Sequence, residues 1–242
     1  MSEIYDDAAF FEEYSKISRS VYGLEGAGEW HQLRPLFPDV AGKAVLDIGC
    51  GYGWHCRYAA EMGAKEVLGI DISSCMIAEA CRRNAHPCIE YAAVGLETFE
   101  YPREKYDLVV SNLVLHYIEN LDEVYANIRS ALKPGGIFLF NIEHPVFTSG
   151  ISQQWATDEN GRNMYWPVDD YYYPGPRETV FLGKKVIKQH HTLTQILMGL
   201  IHTGFSLEAV EEAMPAPETL DMPGMQDEMR RPMMLLVRAR RL

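Results

Sequence analysis

Residues 45–53, reading VLDIGCGYG, restrict the folds open to this chain more than any other stretch. A short apolar run that enters alternating glycines has to turn sharply and leave backbone bare of side chains. The next residues, WHCRYAAEMG, read as a helix closed by Gly63. A second apolar run, EVLGID at 66–71, then leads to Ser73 or Ser74 as the cap of a helix ending near Asn84. CIEYAAV, YDLVVSN (106–112) and GIFLFNIE (136–143) repeat the strand pattern. Between the last two, a helix starts near Asp122 and ends at Lys133, where Pro134-Gly135-Gly136 stops it. Strands alternating with helices of this length predict βαβ units in an α/β, doubly wound, Rossmann-like sheet.

The rhythm breaks after Glu143. Residues 144–188 hold Trp155, Tyr165, Trp166, Tyr171, Tyr172 and Tyr173 and are too long and too aromatic for an ordinary connection. They predict an ordered insertion, hairpin-like, whose aromatics either line a pocket or form a small core. His190 and His191 then open a helix running to Thr203, followed by the strand patterns SLEAVEEA and MMLLVRAR. Upstream, 5–36 reads as helical, with Phe10, Phe11, Tyr14 and Ile17 at helical spacing. The whole is one domain: a helical cap (1–40), a core (41–143), the insertion (144–188) and a C-terminal helix with strands (189–242).

Asp71 closes the second strand 22 residues after Gly49, where its carboxylate can accept two hydrogen bonds from a ribose diol. The helix after the glycines offers N–H groups to an anion. A dinucleotide fingerprint needs its third glycine at position 54, which is Trp; the glycine stands at 53, and Asp47 precedes the first glycine by two. This Asp-x-Gly-x-Gly-x-Gly order resembles motif I of the class I S-adenosylmethionine-dependent methyltransferases, small-molecule type. LGIDIS resembles their following acidic motif, YDLVVSNLVLHYI their motif IV, and LKPGGIFLF their fifth strand, so the resemblance spans about 40–143.

The resemblance implies a seven-stranded, mostly parallel sheet with an antiparallel last strand, and S-adenosyl-L-methionine as cofactor. It implies that Asp47, Gly49, Cys50 and Gly51 hold the methionyl part, that Asp71 binds the ribose and that Ile72 and Met76 flank the adenine. Gly95 and Leu96 stand where the family has an acidic residue and its neighbour, so Glu97 or backbone at Leu96 takes over the adenine edge. Asn112 and Leu113 face the methyl end.

Methyl transfer from a sulfonium is an in-line displacement that needs a base only for a protonated nucleophile. The sequence therefore fixes no catalytic residue; Glu143, His144 and His116, near the ends of strands four and five, are the candidates, with Tyr117 beside them. With 22 basic against 34 acidic residues, a net charge of -12 argues against a nucleic-acid partner and for a small-molecule acceptor. Arg230, Arg231, Arg238, Arg240 and Arg241 are read as a solvated strand end. The five cysteines lie within the first 88 residues without a CxxC, and the eight histidines lack ligand spacing, so reduced thiols, no metal and a cytoplasmic setting are expected. No apolar run reaches the roughly 18 residues of a membrane span. Two alternatives stand beside this reading: a non-catalytic cofactor-binding sensor, and a nicotinamide-dependent oxidoreductase.

Overall fold

Burial on both faces explains why the central strands are continuous apolar runs: every residue of β1 (Ala44–Ile48) is buried, as a parallel sheet covered by helices requires. The computed structural model describes residues 2–150 and 152–242. Before β1 come α1 (Ser2–Tyr5), α2 (Ala8–Lys16), α3 (Ser18–Tyr22) and α4 (Trp30–Leu33). The predicted alternation follows as α5 (Trp54–Glu61), β2 (Glu66–Asp71), α6 (Ser74–Arg83), β3 (Ile89–Ala93), β4 (Tyr106–Asn112), α7 (Leu121–Ala131) and β5 (Leu132–Glu143). The insertion contributes α8 (Pro145–Ser149) and two hairpins, β6 (Ala156–Thr157) with β7 (Asn163–Tyr165), and β8 (Gly175–Phe181) with β9 (Lys184–His190). The chain finishes with α9 (Leu193–Thr203), β10 (Phe205–Glu212), α10 (Met225–Glu228) and β11 (Met234–Arg241).

Seven strands form one sheet in the order β10-β11-β5-β4-β1-β2-β3. All neighbours are parallel except β11, which runs antiparallel to both β5 and β10. One face packs on α7 and α9 through Val124, Tyr125, Ile128, Ile196 and Leu200. The other packs on α4 and α5 through Trp30, Leu33, Cys56 and Ala59. Strand order reverses direction between β1 and β4, which leaves a crevice at their carboxyl ends.

Several expectations are corrected. The cap is not one helical stretch; Gly23, at φ 65° against the Trp54 ring, and Pro35 break it into short helices and 3-10 turns. β5 begins at Leu132 rather than Gly136, running through the proline and glycines. His190 ends β9 and does not begin a helix; Thr192 caps α9 in a capping box with Gln195. Arg230 and Arg231 are not part of a solvated strand end. Arg231 is buried, its guanidinium 4.5 Å from the Trp166 ring centre and 5.0 Å from that of Phe147. Phe147, Trp155 and Trp166 thus form the insertion's own core. Residue 1 of the cap and residue 151 of the insertion lie outside the described residues. No helix among the described residues is long and apolar enough to cross a membrane.

Candidate functional site

The crevice between β1 and β4 opens into a cavity of about 350 Å³, within the range of small-ligand sites, about 300–1,000 Å³. Its floor is the glycine turn. The Gly49 and Cys50 amides donate to Ile70 O at 2.7 and 2.9 Å, and the Gly53 amide donates to Cys50 O at 2.8 Å. The Gly51 amide donates to Asp71 Oδ2 at 3.0 Å. A Cβ at Gly49 would collide with Val114, and one at Gly53 with Tyr91. At Gly51, by contrast, a Cβ would meet nothing within 4 Å, although the residue lines the cavity at φ 52°. Two glycines therefore serve packing, and the middle one leaves room for a ligand. These four loop amides are already bonded within the protein, so any anion at the turn would meet the N–H groups of the α5 first turn rather than theirs.

The cavity brings together Gly49, Cys50, Gly51, Asp71, Ile72, Met76, Leu96, Glu97, Asn112 and Leu113. Asp71 Oδ1 also accepts from the Ser73 amide at 2.9 Å, and burial raises its pKa above the ordinary value. Leu113 adopts φ 57° at the end of β4, its amide donating to Asn141 O at 2.8 Å. Such left-handed backbone at a bulky residue concentrates at functional sites. Asp47 is the exception in the set. It is fully buried behind the loop, where the Cys56 thiol donates to Oδ2 at 3.2 Å while Oδ1 has no partner. Burial raises its pKa to about 7.

At the far end, Glu143 meets Lys188 from β9 at 2.5 Å. Gln153 Nε2 donates to Glu143 Oε2 at 3.4 Å, and the Lys188 ammonium donates to Gln153 Oε1, also at 3.4 Å. His116 Nε2 stands 4.0 Å from Glu143 Oε1. Burial lowers the pKa of His116 to about 4, so the ring is neutral at pH 7. Its Nδ1 accepts from the Glu143 amide at 3.5 Å, which puts the proton on Nε2, on the Glu143 side. His144, the third candidate, is turned away from the cavity. Its Nδ1 caps α8 by accepting from the Val146 amide at 3.0 Å, and its Nε2 faces Glu212 at 3.0 Å. Pro145 after it starts the helix that demands this cap.

Tyr14 and Ile17 of the predicted apolar cap face line the cavity, whereas sequence reasoning missed Tyr5 and Arg19 from the cap, Phe181 and Lys188 from the insertion, and Met233 and Met234 at the start of β11. The Tyr5 and Tyr117 hydroxyls lie 3.1 Å apart, and the Phe10 ring packs on Phe181 at 5.8 Å between centres. The cap and the insertion therefore meet over the cavity. No group of three or more His, Cys, Asp or Glu among the described residues is placed to hold a metal ion.

A family profile described as a methyltransferase domain matches residues 46–140. A protein of Listeria monocytogenes assigned as an S-adenosylmethionine-dependent methyltransferase is 47% identical, with a TM-score of 0.87 over 91% of this chain and 99% of that one. An S-adenosylmethionine-dependent methyltransferase of Mesorhizobium loti is 42% identical, with a TM-score of 0.84 over 90% of this chain and all of that one. The N-demethylindolmycin N-methyltransferase of Streptomyces griseus is 30% identical over 182 residues, covering 72% of this chain and 73% of that protein.

Proposed function

The chain belongs to the class I S-adenosylmethionine-dependent methyltransferases and uses S-adenosylmethionine as its cofactor, and from that premise we propose that its cavity seats a small organic methyl acceptor. The observation that carries the reading is enclosure. One cavity is shared by the glycine loop, the cap and the insertion, and it ends on the buried pair Glu143–Lys188. Such a space suits a compact molecule, and the net charge of -12 repels nucleic acid. The Streptomyces griseus relative is named for a small organic acceptor, which supports the same class. Five free cysteines among the described residues fit a reducing cytoplasm.

The residues fit the cofactor on two local observations: the empty space beside Gly51, and a carboxylate, Asp71, at the lip of that space. In this reading Asp71 accepts from the ribose hydroxyls, and Ile72 and Met76 pack on the adenine. Leu96 and Glu97 meet the adenine edge, while Asn112 and Leu113 line the methionyl side with Gly49, Cys50 and Gly51. Asp47 contributes from behind, by fixing the loop through Cys56. When bound, the cofactor supplies an electrophilic methyl group and its own thioether leaving group.

Glu143 is the residue assigned to the acceptor. Its Oε1 is tied to Lys188, whereas Oε2 has only the long contact to Gln153 and is the freer oxygen to orient, or take a proton from, an incoming N–H or O–H. His116 stays neutral and donates from Nε2, and Tyr5, Tyr117 and Phe181 keep water out. A metabolite screen that reads S-adenosylhomocysteine formation tests the class. Turnover with one or a few small organic compounds is expected; turnover confined to RNA or protein acceptors would overturn it.

A further inference from the structure

We propose that the acceptor atom is an amine nitrogen, held by Glu143 Oε2 at the far end of the cavity, with Lys188 as the residue that positions this carboxylate. The inference rests on the small-acceptor reading of the cavity and narrows it to one chemical class. It begins from the charges that the cavity presents. Two permanent cations line it among the described residues, Arg19 and Lys188, and each already faces a carboxylate, Glu29 at 2.8 Å and Glu143 at 2.5 Å. The Lys188 ammonium also donates to Gln153 Oε1 at 3.4 Å and lies 5.7 and 5.9 Å from the ring centres of Phe181 and Phe147. Its charge is therefore spent where it stands, and Glu143 and Lys188 are both buried. His55 and His116 add no positive charge at pH 7, because burial lowers the pKa of each to about 4.

What the far end leaves unspent is an acceptor oxygen. Glu143 Oε2 has only the 3.4 Å contact from Gln153 Nε2. Aromatic rings line the same end: Tyr117 packs on His116 at 4.5 Å between centres, the Tyr5 hydroxyl is 3.1 Å from that of Tyr117, and Phe181 adjoins Lys188. A carboxylate oxygen among ring faces attracts an ammonium. The course of charge during transfer selects the same class. A neutral amine attacks with its lone pair; the N–C bond forms as the C–S bond breaks, the electron pair of that bond stays on sulfur, and the positive charge passes to nitrogen. A carboxylate already fixed by Lys188 stabilises the growing charge without reorganising. The product leaves as an ammonium and gives its extra proton to water. An oxyanion acceptor would instead be repelled by Oε2, and its charge would vanish in the transfer, leaving Glu143 nothing to stabilise.

The test is calorimetry on the protein saturated with S-adenosylhomocysteine, with benzylamine, benzyl alcohol and benzoate as probes that share one ring. At pH 7 benzylamine carries the charge that the nitrogen acquires in the transfer. It is expected to bind at least about tenfold more tightly than benzyl alcohol, the gain of a charge-assisted hydrogen bond, with benzoate the weakest. Glu143→Gln alone would strand the Lys188 charge, so the double variant Glu143→Gln/Lys188→Met is used. It should bring benzylamine to within about twofold of benzyl alcohol, while S-adenosylhomocysteine affinity, which also reports folding, stays within about twofold of wild type. Lys188→Met alone should keep the order of the probes, because the carboxylate sets it. Benzyl alcohol or benzoate bound as tightly as benzylamine, or a preference that survives in the double variant, would overturn the amine class and leave a small acceptor standing. Failure of all the probes on a wild type that binds S-adenosylhomocysteine would overturn both. A wild type that does not bind S-adenosylhomocysteine would overturn the cofactor site and this inference with it.

Discussion

Asp47 carries the site's least comfortable charge. Its carboxyl is fully buried with one oxygen unpartnered, and burial lifts its pKa to about 7 from an ordinary value of about 3.9. A carboxyl whose folded pKa is raised holds its proton in the fold while the unfolded chain releases it. The stability it contributes below about pH 4 is lost as pH rises through about 7. His55 and His116, both lowered to about 4 by burial, act in the opposite sense: their stability is present above about 6.5 and lost as pH falls toward 4. Comparing Asp47→Asn with wild type isolates the carboxyl. The melting temperature of the variant should gain on wild type as pH rises from about 4 to 7; a gap that stays constant with pH would contradict the buried, protonatable state. Glycine chemistry gives a second residue-scale prediction. Gly51→Val faces open space and should cost only the left-handed backbone, roughly 1–2 kcal/mol, while abolishing cofactor binding. Gly49→Val must also displace Val114 and should be the more destabilised of the two in urea. Normal S-adenosylhomocysteine binding by folded Gly51→Val would count against the loop.

Two elements roof the cavity, and they are tied down unequally. Helix α2 reaches the β8–β9 hairpin through Phe10 on Phe181 and an ion pair of Asp7 with Lys184 at 3.4 Å, which is half exposed. Exposed pairs of this kind contribute about 0–1 kcal/mol, so α2 is held only weakly to the hairpin, although the cap is also tied to the core through Asp6 with Ser73 and Arg19 with Glu29. The insertion is better anchored: Arg231 sits within its aromatic core and Lys188 is buried against Glu143. Elements that open to admit ligand come from the less stable part of a fold. Hydrogen exchange with S-adenosylhomocysteine should therefore add protection in residues 5–25, with smaller changes in 144–175. Strong and equal protection of 5–25 in both states would mean a permanently docked cap. The hairpins themselves were foreshadowed by composition, whereas the short broken helices of the cap were not. Helical spacing around Phe10 to Ile17 reports a buried face but not the glycines and proline that interrupt it.

At the scale of the molecule, what could be read in advance was local in sequence. A strand, a glycine turn, a helix and a terminal aspartate all lie between residues 44 and 71, and the periodicity that marks them is the periodicity that folds them. The acceptor end and the roof are assembled differently. Lys188 reaches Glu143 across 45 positions, and Glu29 reaches Asn141 across 112, so no spacing rule announces either pair. His144 shows the reverse case, a well-placed strand terminus whose side chain is diverted to cap α8. Fold and glycine turn were thus legible because adjacent residues build them, and the remainder was hidden because tertiary packing alone creates it. On the proposed assignment, S-adenosylmethionine binds in the cavity beside the glycine loop through Asp71. Calorimetry of S-adenosylhomocysteine with wild type and Asp71→Ala tests it most directly. Charge-assisted hydrogen bonds of roughly 1.5–3 kcal/mol each are removed by the substitution. Binding by the wild type, weakened at least about tenfold in a folded Asp71→Ala variant, is the predicted result; equal affinity for the two proteins would contradict it.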